Sequence, residues 1–155
     1  MFTETLHRRQ ALSYAQTTTI NSGSTASLNT TGISMANLRR LRAFFMWGTV
    51  TGGGTVTIAL QASATQGGSY ANISGNTTNP VMAGVTPTSN TVSALEVRAD
   101  QLPAGTVWVR AIATETGAQN VVTTILVVCD EAAYKPGNQF TVTTPSPDIV
   151  TYNNG

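Results

Sequence analysis

From Thr55 to Gln61 the chain alternates, with Val56, Ile58 and Leu60 falling on one side and Thr55, Thr57, Ala59 and Gln61 on the other. A period of two is the mark of a β-strand with one buried face. The same texture recurs and predicts five long strands, at about 38–50, 55–62, 91–99, 106–115 and 121–129. Shorter candidates lie at 11–20, 25–30, 70–74 and 77–82. Turn signals separate them: Gly67-Gly68, Gly75-Asn76, Asn79-Pro80, Pro87, Pro103 to Gly105, and Gly117. No window carries a 3.6-residue period, so little helix is expected. The run Leu41 to Val50 is joined to Thr55–Gln61 through Gly52, Gly53 and Gly54, and because glycine accepts positive φ cheaply the two runs read as a β-hairpin.

Seven or eight short strands without crossover helices predict an all-β fold, an antiparallel β-sandwich of jelly-roll-like form. Its domain spans 37–130, preceded by a polar, threonine-rich extended segment, 1–36, and followed by an extended arm, 131–155. The strand Val121 to Cys129 is apolar on both sides, with Val122, Leu126 and Val128 on one and Val121, Ile125 and Val127 on the other. Such a strand is either covered on both faces within the domain or lies at a subunit interface. In the arm, Pro136, Pro145 and Pro147 oppose ladder formation, and the apolar residues are too few for a core. Tyr134, Phe140 and Tyr152 are the side chains with which it could anchor on a neighbouring subunit.

A chain of 155 residues suits one domain. Charged residues are 10% of it, against about 25% in an average domain, and the net charge is +1, so no global field draws nucleic acid or an anionic membrane. MFTETLHRRQ has no apolar run after its basic residues, so no secretory signal is expected there, and no segment approaches the length of a membrane span. Cys129 is the sole cysteine, which rules out an internal disulfide.

Chemistry finds little material. The seven acids are scattered, His7 is the single histidine, and Cys129 ends the most apolar strand, where a thiol is usually an inert small hydrophobe. No phosphate-loop, dinucleotide or calcium-loop pattern occurs. No enzyme, catalytic residue, metal site or cofactor is therefore expected. Glu96, Arg98 and Asp100 share a strand face and read as exposed ion pairs. Arg39, Arg40 and Arg42 form the one basic cluster inside the domain, beside Phe44, Phe45 and Trp47. Arginine next to aromatics can grip single-stranded nucleic acid, but it is also the pairing most enriched at protein interfaces, and with so little net charge the interface reading is preferred. The interface candidates are Arg39, Arg40, Arg42, Trp47, Arg110, Tyr134, Phe140 and Tyr152, while Trp108, mid-strand, reads first as core.

Two stretches, TVTIALQASATQGGSYANIS (55–74) and LEVRADQLPAGTVWVRAIATETG (95–117), resemble the capsid cement, or head-decoration, proteins of tailed phages. The resemblance rests on a strand ending in LQAS, a Gly-Gly-Ser-Tyr turn, a Leu-Glu-Val strand, a Leu-Pro-Ala-Gly turn and a strand reading VWVRA. It covers Leu41 to Cys129 and neither terminus. It implies a jelly-roll or sandwich fold and a virion protein assembled in the host cytoplasm. That protein would bind the outside of the major capsid protein shell as a homotrimer and clamp neighbouring capsomers, with no nucleic-acid or membrane partner. The alternative reading is a carbohydrate-binding or adhesin-type module presenting Tyr70, Tyr134 and Trp47 to sugars.

Overall fold

The computed structural model describes residues 9–21, 26–74, 81–117 and 119–132. They form ten strands: β1 (Arg9–Asn21), β2 (Ser27–Asn29), β3 (Ile33–Ser34), β4 (Leu38–Gly52), β5 (Val56–Ser63), β6 (Ala71–Asn72), β7 (Val81–Val85), β8 (Thr91–Arg98), β9 (Trp108–Glu115) and β10 (Gln119–Ala132). A single 3-10 turn, Ala99–Gln101, follows β8. One sheet has the order β1-β10-β4-β8. In the other, β9 and β5 run side by side; β2 and β3 share the free edge of β9, and β6 and β7 share that of β5.

All these pairings are antiparallel and nested: β1 with β10, β2 and β3 with β9, β4 with β8, and β5 with β6 and β7. A chain that pairs its ends with each other and then works inward is a long hairpin rolled into two sheets, which is the jelly roll. The expected all-β sandwich is the fold observed. Residues 9–21 and 27–34, read from the sequence as a segment ahead of the domain, supply lanes to both sheets.

The hairpin across the glycines is a correction. β4 and β5 belong to different sheets and do not pair. Gly52, at φ 95°, begins a crossover between layers. This crossover packs on the one joining β9 to β10, where the Thr116 amide donates to the Thr55 carbonyl at 2.9 Å and the Gly117 amide to the Glu115 carboxylate at 2.6 Å. A Cβ on Gly117 would stand 2.8 Å from the Gly54 Cα, so two glycines meet where side chains could not. Period two fixes which side of a strand is buried; it does not say which strand lies alongside.

The core fills the space between the sheets. β4 contributes Leu41, Ala43, Phe45 and Trp47, and β10 contributes Val121, Ile125, Val127 and Cys129. Facing them are Val56, Ile58, Leu60 and Ala62 of β5 with Val109, Ala111 and Ala113 of β9. Phe45 and Trp47 stack at 6.2 Å between ring centroids, and the Cys129 thiol is buried against Met35 with its sulfur 3.9 Å from the Met35 Sδ. Where the edge lane breaks between β2 and β3, buried Thr30 bridges the gap. Its amide donates to the Ala111 carbonyl at 3.0 Å and its hydroxyl accepts from the Ala111 amide at 3.1 Å, so no backbone group of β9 is left open at that break.

Ile58 and Thr57 are adjacent on β5, the first fully buried and the second on the outer row. Ile58→Asp is expected to unfold the domain, since an unpaired carboxylate in this core costs more than about 4 kcal/mol. Thr57→Asp is expected to change the unfolding free energy by less than about 1 kcal/mol. Urea denaturation followed by tryptophan fluorescence reads both.

Candidate functional site

Each sheet turns its second row of side chains outward, and the two outer faces differ in chemistry. On the first sheet, Phe44, Met46, Val122, Leu126 and Val128 are half-buried and Val92 is 60% exposed. Toward one end of that face the row becomes ionic. The Arg42 Nε donates to Glu96 Oε2 at 2.6 Å, the Arg40 Nε lies 3.5 Å from Glu96 Oε1, and Arg98 pairs with Asp100 at 2.7 Å. Of these exposed pairs, each worth under about 1 kcal/mol, Arg98–Asp100 lies within the set that the strand spacing predicted, while Glu96 is met across the strands by Arg40 and Arg42 of β4.

On the second sheet the outer row of β9 reads Trp108, Arg110, Ile112, opposite Ser63, Gln61 and Ala59 of β5. Arg110 lies over the ring of Tyr70, its guanidinium carbon 4.4 Å from the ring centroid. Its Nε donates to Gln61 Oε1 at 2.9 Å, and the Gln61 amide nitrogen donates to Asn72 Oδ1 at 2.9 Å. The Tyr70 hydroxyl donates to the Gln66 carbonyl at 2.9 Å, and the Gln66 side chain in turn donates to the Gly32 carbonyl at 3.3 Å. A Cβ at Gly32 would meet the Tyr70 hydroxyl oxygen at 1.9 Å, so any larger residue there would displace the tyrosine from this seat. A cation over an aromatic face, with hydrogen bonds holding both, is a preorganised polar-aromatic platform. Burial raises the Tyr70 pKa above its ordinary 10.0, with the neighbouring Arg110 charge opposing that rise.

Several expected site residues fall elsewhere. Trp47, expected at an interface and on a sugar platform, is a correction. It is 2% exposed, stacked on Phe45, and its indole N–H donates to Ser93 Oγ at 2.8 Å. Trp108, read first as core, is the partly exposed tryptophan. Phe45 likewise points inward, so of the aromatics beside Arg40 and Arg42 only Phe44 shares their face. Arg39 is exposed at the start of β4. Tyr134, Phe140 and Tyr152 lie outside the described residues, as does His7. Arg110 is the expected interface residue that sits in a built constellation. Its partner Gln61 lies on β5, while Tyr70 and the Asn72 that bonds Gln61 come from the segment at β6, and only the shared parity of Trp108 and Arg110 hinted at the site.

Among the described residues, no three of His, Cys, Asp and Glu gather as metal ligands, and no helix is long and apolar enough to cross a membrane. No family model matches this chain, and no curated protein matches it. Two solved structures resemble it in part. The K3 cleaved adhesin domain of Lys-gingipain from Porphyromonas gingivalis is 19% identical over 74% of this chain and 72% of that one, with a TM-score of 0.35. The Eiger TNF structure from S. frugiperda is 7% identical over 86% of this chain and 100% of that one, with a TM-score of 0.38.

The raised Tyr70 pKa gives a signed pH dependence. Above pH 10 the unfolded chain ionises this tyrosine before the folded chain does, so the folded state binds more protons and stability falls as pH rises from there toward the folded pKa. Denaturation midpoints between pH 9 and 11 are expected to fall more steeply for the wild-type chain than for Tyr70→Phe. Equal slopes would place the Tyr70 hydroxyl in open solvent.

Proposed function

We propose that this chain is a structural virion protein, a capsid cement protein that binds the outside of a major capsid protein shell as a homotrimer. The observation that carries the reading is the platform around Arg110. It is a rigid, nearly uncharged patch on a jelly-roll sheet, with an arginine and the partly exposed Trp108 in the residue classes that dominate protein interfaces. The sequence stretches that resemble cement proteins, 55–74 and 95–117, include Gln61, Tyr70, Asn72, Trp108 and Arg110. A protein that binds only the assembled shell stabilises it by its binding free energy at every site, so a small module without catalytic chemistry suffices. The low charge suits copies packed close together on one particle.

A second reading, a carbohydrate-binding module, is favoured by one feature of the same site. Tyr70 and Trp108 offer ring faces near Arg110, Gln61 and Asn72, a set able to stack on a sugar and bond its hydroxyls.

Sedimentation with purified capsid shells tests the first reading and a glycan array the second. The wild-type chain is expected to be trimeric by light scattering and to pellet with shells. Arg110→Ala is expected to weaken pelleting at least tenfold, matching an interface anchor worth about 2 kcal/mol, while leaving the unfolding midpoint nearly unchanged. A monomer that stays in the supernatant and is retained on the array would replace the cement reading with the glycan reading.

A further inference from the structure

The strands of the second sheet carry almost no charge. Arg110 and Glu115 are the only charged residues on β2, β3, β5, β6, β7 and β9. Glu115 belongs to the inner row, 6% exposed at the end of β9, where its carboxylate accepts the Gly117 amide. It therefore lies on the opposite side of the strand from Arg110. On the first sheet, Glu96 is engaged by Arg40 and Arg42, and Asp100 by Arg98. Arg110 is thus a half-buried cation that meets no carboxylate among the described residues.

Its contacts fix the guanidinium without neutralising it. The Nε is bonded to Gln61 Oε1 at 2.9 Å and the guanidinium carbon stands 4.4 Å over the Tyr70 ring centroid, while no group among the described residues bonds the two Nη nitrogens. What remains is the end of the fork, whose parallel N–H groups match the two oxygens of a carboxylate. Because the side chain is already held, little rotamer freedom is lost when a ligand arrives.

The surroundings select among anions. Polyphosphate backbones gather several cations, and this face supplies one. Trp108 and Ile112, half-buried in the same outward row of β9, flank Arg110 with apolar surface on either side. A single positive charge between two apolar side chains suits a single carboxylate with apolar neighbours, such as an aspartate or glutamate on a protein surface. An exposed ion pair adds little affinity by itself, so the carboxylate is one carried on a surface large enough to cover Trp108 and Ile112 as well.

We propose that the Arg110 platform recognises its partner protein by an aspartate or glutamate side chain, bound end-on by the two Nη nitrogens, with Trp108 and Ile112 taking apolar contacts beside it. The inference rests on the reading of this platform as the shell-binding face. It names what the shell presents there, an acidic residue within an apolar patch.

Side-chain NMR on the full-length chain tests it, with the Arg110 Nε–H resonance assigned by its loss in Arg110→Lys. The probes are acetyl-Phe-Glu-Leu-amide and acetyl-Phe-Gln-Leu-amide, which differ by one charge. The glutamyl peptide is expected to shift the Arg110 Nε–H and the Trp108 indole N–H at millimolar concentration, and the glutaminyl peptide to bind about tenfold more weakly. Arg110→Lys keeps the charge and loses the fork, so its Trp108 response to the glutamyl peptide is expected to weaken about tenfold at an unchanged unfolding midpoint. Equal responses to the two peptides, no response to either, or full retention of binding by the lysine variant would overturn the proposal. Tighter binding of glucuronate or inorganic phosphate than of the glutamyl peptide would overturn it in favour of a sugar acid or a phosphate, and a changed oligomeric state in Arg110→Lys would assign the carboxylate to a neighbouring copy instead. Sedimentation separates this result from the cement reading. A chain that answers to the glutamyl peptide but never pellets with shells keeps the carboxylate site and loses the cement reading; one that pellets but ignores the peptide does the reverse.

Discussion

The fold depends on β10 being paired along both edges. Its backbone is bonded to β1 on one side and β4 on the other, and its inner row of Val121, Thr123, Ile125, Val127 and Cys129 is buried against the second sheet. Strand β1 comes from the other end of the chain: Ala11 lies opposite Cys129 and Ile20 opposite Val121. The first sheet is therefore complete only when residues more than 100 positions apart have met, and the entropy of closing that loop is spent before the contacts repay it. The remaining pairings nest inside this one. Once β1 and β10 are aligned, β2 and β3 come within reach of β9, and β4 of β8.

A two-layer sandwich needs only the inner rows to be apolar, which leaves the outer rows free to carry other chemistry. This chain uses the freedom in two ways. The outer face of the first sheet keeps Phe44, Met46, Leu126 and Val128, with ion pairs in the rows of Arg40, Arg42, Glu96 and Arg98. The outer face of the second sheet is mixed, with Arg110 held between Tyr70 and Gln61 in the same row as Trp108 and Ile112. A glycine at position 32 lets the tyrosine hydroxyl seat over the backbone. The apolar face is suited to permanent cover and the mixed one to reversible contact, since hydrogen-bonded groups tolerate water when a partner leaves.

Much of the strand inventory was legible, because alternation is local. The long strands begin and end within a few residues of where the pattern places them, whereas β10, apolar on both sides, gave no sign of which row faces inward. The two tryptophans show where local reading stopped. Trp47 shares parity with Leu41, Ala43 and Phe45 and is buried with them, whereas Trp108 shares parity with Arg110 and faces outward with it. The parity was present in the sequence, and weighting the arginines near Trp47 over its own row led to the opposite assignment. The glycine tip failed for a different reason: a flexible link between two strands permits a hairpin and a crossover equally, and no residue within the link distinguishes them.

By itself the sequence determined that this chain is all-β, where its long strands lie and, for a strand with clean alternation such as β5, which side is apolar, since these follow from the two-residue repeat of an extended backbone. Tertiary structure alone decided which strands are neighbours, that β4 and β5 lie in opposite layers, and that Tyr70, Asn72, Gln61 and Arg110 form one constellation. Such partnerships depend on sheet register and layer, which are set by how the whole set of apolar rows closes into a single core, and no segment encodes that closure alone.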